Sequence, residues 1–244
     1  MALPKIDVPV YEVKLFSLNK KVKFRPFLVK EQKLLLMASE ASNADDTINA
    51  IKQILKNCVL SEINIDDLPV FDLEYLFINL RARSVAEVVE LKYQCNNTVK
   101  DDENNEKKCG TVNEMNINLL EIQPTSSPNH NKKIQINDNF GIMMKYPTFE
   151  IAQKAIEKNE LDAFMELVTS SIDYVFDKEN MYYAKDSSKE ELVEFIENLQ
   201  QKDLEKIKNF FDTMPKLKKT IHYKCKKCKY EEDIPLEGLQ NFFG

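Results

Sequence analysis

The sequence predicts an α+β fold, a small antiparallel sheet surrounded by helices. Short stretches alternate apolar and polar residues with a period of two, while longer ones repeat apolar residues at offsets of three and four. The two kinds do not alternate along the chain as a doubly wound sheet requires. Four of the five cysteines fall where a strand pattern ends or begins.

In chain order, Val8, Val10, Val13 and Leu15 suggest strands, and "KKVKFRPFLV" reads as a second strand ending near Pro26. Leu34, Leu35, Met37 and Ala38 then form a helical stripe, and Ile48, Ile51, Ile54, Leu55, Cys58 and Val59 a second one. "SNADD" between them offers caps. "FDLEYLFINLRAR" predicts a third helix, with Asp72 near its start and Arg81 and Arg83 near its end, as the helix dipole favours. "VAEVVELKYQC" alternates again, "NNTVKDDENNEKK" reads as a solvated loop, and "CGTVNEMNINLLEI" resumes strand character. The turn-rich "QPTSSPNHN" is the best boundary, giving regions 1–124 and 125–244 of one integrated fold. "KKIQINDNFGIMMKYP" predicts a hairpin. Helices are expected over Thr148–Asn159, Leu161–Asp173, Lys189–Leu199 (opened by the capping box Ser188-x-x-Glu191) and Asp203–Met214, before "LKKTIHYKC" returns to strand.

Composition narrows the function. With 244 residues and 43% hydrophobic content the chain can bury a core. Its four glycines cannot write a G-x-x-x-x-G-K or a G-x-G-x-x-G, which argues against phosphate-loop chemistry. A net charge of −6 does not suggest a general nucleic-acid binder. No apolar run approaches the roughly 20 residues that span a bilayer. The start, "MALPKIDVPVYEV", lacks a signal peptide's apolar centre, so a non-exported chain with reduced cysteines is expected. Paired acids such as Asp45–Asp46, Asp66–Asp67 and Asp101–Asp102 are adjacent rather than placed to converge across a cleft, and only two histidines exist, so no enzyme is expected.

The cysteines carry the chemistry. Cys95 ends one strand and Cys109 begins the next; Cys225 ends another, and Cys228 opens the segment after it. Two hairpins with paired thiols at their tips make a split, zinc-ribbon-like four-cysteine site, in which four thiolates satisfy a structural Zn²⁺ and leave no position for substrate. Thirteen residues separate Cys95 from Cys109, where a ribbon knuckle has about two, so the segment reads as an insertion. Loop closure costs rise only logarithmically with length, and the site tolerates it. The alternatives are incidental thiols, or His222 as a ligand. Cys58, on a helical stripe, reads as a core residue, and His130 is given no role.

Leu236, Leu239, Phe242 and Phe243 recur at helical offsets near the C-terminus and are candidate partner-binding residues on an amphipathic helix, or else the helix folds back on its own ribbon. Lys216, Lys218, Lys219, Lys224, Lys226, Lys227 and Lys229 crowd the second knuckle with Tyr223 and Tyr230, which keeps a nucleic-acid-binding ribbon as an alternative. The acidic chain and the "EED" downstream stand against it. Arg25 and Arg81 lie among apolar residues, which predicts a carboxylate partner on a neighbouring helix for each.

The blocks "RPFLVKEQKLLLMASE" (25–40), "FDLEYLFINLRARSV" (71–85), "IQINDNFGIMMKYP" (134–147) and "CKKCKYEEDIPLEGLQNFF" (225–243) resemble the baseplate hub protein family of T-even-type contractile-tailed bacteriophages. Residues 148–215 match weakly. The resemblance implies a non-enzymatic role in assembling the baseplate hub, with other hub, spike or tape-measure proteins as partners. It implies a place in the host cytoplasm during assembly, or in the finished baseplate as a permanent structural subunit. The four cysteines correspond to the family's cysteine positions. Lys229 stands after Cys228 where a ribbon commonly has glycine, while Gly110 follows Cys109.

Overall fold

The computed structural model describes residues 7–40, 44–100, 104–156 and 159–239. The elements run β1 (Tyr11–Leu15), β2 (Lys20–Phe24), α1 (Val29–Glu40), α2 (Ala44–Cys58), α3 (Val70–Ser84), β3 (Val88–Gln94), β4 (Thr98–Lys100), β5 (Glu106–Lys108), β6 (Val112–Asn118) and β7 (Pro124–Thr125). They continue with β8 (Lys133–Gln135), β9 (Gly141–Met144), α4 (Phe149–Ile156), α5 (Glu160–Ser170), β10 (Ile172–Phe176), β11 (Met181–Tyr183), α6 (Lys189–Glu197), α7 (Gln201–Thr213), β12 (Lys216–Lys224) and β13 (Glu231–Glu237). The class is α+β, with every paired strand antiparallel among the described residues. Among these residues, no helix is long and apolar enough to cross a membrane.

The chain divides into two compact units. Unit 1 comprises 1–63, 73–125 and 216–244, and unit 2 comprises 64–72 and 126–215. The chain passes from the first unit to the second between residues 125 and 126 and returns to the first at Lys216. The expectation of one small sheet is corrected: among the described residues, four small sheets lie in unit 1, and the second helical region has a sheet of its own.

In unit 1, Val13, Leu15, Val22 and Phe24 alternate along β1 and β2 and bury a single face, as period-two patterning requires. The second helical stripe becomes α2, which buries Ile51, Ile54, Leu55 and Cys58; Cys58 is a core residue. Leu73, Leu76, Phe77, Ile78, Leu80 and Ala82 bury most of the α3 circumference, the mark of a central helix. Ile78 and Ala82 pack with Ile117, Leu119, Ile122, Leu217 and Leu236, so that α3 shares a core with β6, β12 and β13. Arg25 finds its expected carboxylate, Glu31 on α1, at 3.0 Å. Arg81 is half-buried, which pulls its pKa down.

Unit 2 packs Ile134, Ile142, Met144 and Ile172 of the β11-β10-β9-β8 sheet, with Ile136 just beyond β8, against Val168, Ile196, Ile207 and Phe210 of α5, α6 and α7. The expected capping box is present on α6, with Ser188 and Glu191 exchanging side-chain-to-backbone hydrogen bonds. The helix expected to reach Asp173 ends at Ser170. "IDYVF" is strand β10, whose start helical periodicity concealed; it pairs with β9 of the expected hairpin and with β11, an unexpected strand.

Candidate metal centre

β3 pairs with β6 up to Gln94 and Val112, and β12 pairs with β13 up to Lys224 and Glu231. Each hairpin thus ends one residue short of a cysteine, and each tip carries two. The tips are built alike. The Cys95 N–H donates to the Thr111 carbonyl (2.9 Å) and the Gly110 N–H to the Cys95 carbonyl (3.0 Å). Likewise the Cys225 N–H donates to Tyr230 (2.8 Å) and the Lys229 N–H to Cys225 (3.1 Å). Gly110 and Lys229 both adopt the left-handed backbone, with φ of 64° and 63°.

The insertion between Cys95 and Cys109 is not the loose loop expected from its composition. Thr98–Lys100 pair with Glu106–Lys108 as an antiparallel hairpin, and the Cys109 N–H donates to the Asn97 carbonyl (2.8 Å) at its base. This closure returns the chain to the knuckle after thirteen intervening residues. The cost of the insertion is confined to a side arm.

The four sulfurs lie within 4.8 Å of one another. Across the tips, Cys95 Sγ is 3.6 Å from Cys228 Sγ, and Cys109 Sγ is 3.8 Å from Cys225 Sγ. Bonds of about 2.3 Å from a tetrahedral Zn²⁺ place sulfurs about 3.8 Å apart, which the two cross-tip separations match, so the donor set could hold such an ion. The separations are too long for S–S bonds of about 2.05 Å, and all four thiols are free. Cys95 and Cys225 are buried, while Cys109 and Cys228 are half-buried.

Electrostatics distinguish the thiols. Burial pushes Cys95 up to about 11. Burial also opposes charge on Cys225, but the N–H groups of Cys228 and Lys227 and the Tyr223 hydroxyl outweigh it and bring that thiol down to about 5. The Thr111 hydroxyl and N–H lower Cys109. Donors preset toward sulfur favour the thiolate, the form that ligates metal.

Asn113 joins the tips. It is 1% exposed, and its Nδ2 donates to Tyr223 Oη (2.8 Å), to the Thr111 carbonyl (3.0 Å) and toward Cys225 Sγ (3.8 Å). Its Oδ1 accepts the Lys226 N–H (2.9 Å) from the opposite knuckle. Asn97 Nδ2 points at Cys228 Sγ (3.7 Å), and Tyr93 packs edge-on to Tyr223 with ring centroids 4.6 Å apart. Sequence reasoning passed over Asn113. The available signal was a polar residue in phase with Met115 and Ile117, the inward positions of β6.

The other candidates drawn from the sequence separate. His222 hydrogen-bonds Asp233 across the β12–β13 register (3.0 Å) and is not one of the clustered ligands. Leu236 lies in strand β13 and is 8% exposed, and Leu239 packs on the same core. Leu236 is therefore a strand residue and not part of a helix, and both leucines pack inward, as the fold-back alternative expects. Phe242 and Phe243 lie outside the described residues.

Comparison with curated proteins and with solved structures gives no match. A family model described as T4 bacteriophage base plate protein matches residues 8–244, which include both hairpins and all four clustered cysteines. The chain belongs to the T4 bacteriophage base plate protein family.

Proposed function

We propose that this protein is a non-enzymatic assembly factor of the phage baseplate hub, held in shape by one structural Zn²⁺ on Cys95, Cys109, Cys225 and Cys228. One observation carries the reading: in a chain of this family, thiols from two tips more than a hundred residues apart in sequence gather within 4.8 Å of one another. When bound, the ion supplies a cross-link whose apparent free energy is on the order of 10 kcal/mol, comparable to the stability of a whole domain. The protein's own part is to present the donors. β3/β6 and β12/β13 aim the cysteines, and Asn113 fixes one knuckle against the other.

A four-thiol set leaves no open coordination position, which favours scaffolding over metal catalysis. The partners in this reading are other hub, spike or tape-measure proteins, met in the host cytoplasm during assembly. The nucleic-acid alternative needs available lysines at the second knuckle. Four of the seven there have partners of their own: Lys216, Lys219 and Lys224 pair with Glu237, Glu121 and Glu231, and Lys229 Nζ donates to the Lys226 carbonyl, which weakens that alternative.

The test is co-purification of the full chain from infected cells, together with metal analysis. Hub components in the eluate and about one zinc per chain support the proposal. A metal-free, correctly folded protein, or one recovered without baseplate proteins, overturns the corresponding half.

A further inference from the structure

Two surfaces outside the metal centre have reciprocal chemistry. On α1, Val29, Leu36 and Met37 are 81%, 57% and 57% exposed, and their spacing of seven and eight residues places them on one face. The buried Glu31 and Ala38 occupy the opposite side. Lys30 and Lys33 lie beside and within the exposed stripe, and Glu40 falls on the same face by spacing at the end of the helix; the buried Glu31 beside Lys30 is already neutralised by Arg25, so the stripe is apolar with one excess positive charge.

In unit 2, α5 and α6 border a groove of about 750 Å³ with Leu161, Met165, Val193, Ile196 and Leu204 in its lining. Leu161 is 70% exposed. The ionisable lining is Asp162, Glu166, Glu197 and Lys189, and Lys189 pairs with Glu166 at 2.6 Å, so the excess charge is negative.

We propose that α1 of one copy docks in the α5–α6 groove of a second copy. Apolar side chains at helical spacing are what such a groove accepts, and the basic stripe complements its acidic lining. Helix and groove are different patches of one chain, so the contact is heterologous. It propagates into a ring where the rotation closes and into an open chain where it does not. The inference stands independently of the metal reading.

Sedimentation velocity of the full chain over a concentration series tests it, with Leu36→Asp to disable the helix and Leu161→Lys to disable the groove. Both positions are exposed, so melting temperatures should stay unchanged. The wild type should form species larger than a dimer. Each variant should self-associate at least tenfold more weakly. An equimolar mixture should stop at a dimer, because only one intact helix and one intact groove remain.

A wild type that stays monomeric throughout overturns the proposal, including the case in which the groove takes a helix from another baseplate protein. So does a wild type that associates while the mixture does not, or a variant that associates like the wild type. Should either variant fail to fold, Lys33→Glu and Asp162→Lys provide a second route. Each alone weakens association and the two in one chain restore it; failure of that rescue also overturns the proposal.

Discussion

Gly110 and Lys229 are equivalent residues of the two knuckles: each follows the second cysteine of its tip, and their φ values differ by one degree, 64° against 63°. A left-handed backbone costs a non-glycine residue about 1–2 kcal/mol, partly offset by the chain entropy that glycine loses on folding. Lys229→Gly should therefore raise stability by up to about 1 kcal/mol, and Gly110→Val should lower it by about 1–2 kcal/mol. Denaturant titration of the zinc-loaded protein measures both. Destabilisation by Lys229→Gly would show that the lysine side chain, not the backbone, matters at that position.

Asn113 should behave as a support of the metal centre without touching the ion. Asn113→Leu keeps similar bulk but strands the Lys226 N–H and takes the Nδ2 donor from Tyr223. Unpaired buried polar groups cost about 1–3 kcal/mol each, and loss of such supporting contacts weakens metal binding roughly 10–100-fold. Competition against a chromophoric chelator reads the affinity. Wild-type affinity in the variant would remove Asn113 from the site.

Metal removal should act locally. The ligands and their hairpins belong to unit 1, and the Ile134–Phe210 core of unit 2 contains none of them. After chelation, amide exchange should accelerate in β3, β6, β12 and β13 and change little in α5, α6 and α7. Replacing any one of the four cysteines with serine should abolish stoichiometric zinc and reproduce that pattern. Uniform acceleration across both units would show that the ion governs the whole chain.

The candidate site was legible from sequence because its signal is local: each cysteine adjoins a strand whose period-two pattern is clear, and a hairpin brings its two ends together automatically. Convergence of the two tips followed from valence, since two thiolates leave a tetrahedral ion half-satisfied. Less local features were concealed. Ile172, Tyr174 and Phe176 follow the α5 stripe without a glycine or proline, so the change of period at Ser171 left little trace. Leu236 fits a helical offset with Leu239 as well as the end of a strand, and pairing with Lys219 on β12 together with packing against Ile78 and Leu217 makes it strand. The thirteen-residue insertion looked solvated because the three-residue strands β4 and β5 expose nearly every side chain. Backbone pairing, which composition does not encode, holds that arm together.

The Arg25–Glu31 pair should set part of the acid limit of unit 1. Glu31 is fully buried; its carboxylate accepts from Arg25 Nη2 (3.0 Å) and from the Leu28 N–H (2.8 Å), while Arg25 also caps the Asn57 carbonyl near the end of α2 (3.0 Å). Burial alone would push the carboxyl up, but Arg25, the Leu28 N–H and Lys30 hold it below its ordinary 4.5. Because the folded value is the lower one, the pair's contribution is fully present above about pH 4.5 and is lost as pH falls through the folded value. Arg25→Ala should cost about 3 kcal/mol at pH 7, the usual penalty for leaving a buried charge without its partner. Glu31→Gln should be destabilising at pH 7, and its gap to the wild type should narrow steadily between pH 5 and pH 3. Urea titrations across that range decide the matter, and a gap independent of pH would assign the stabilisation to packing instead of to the charge.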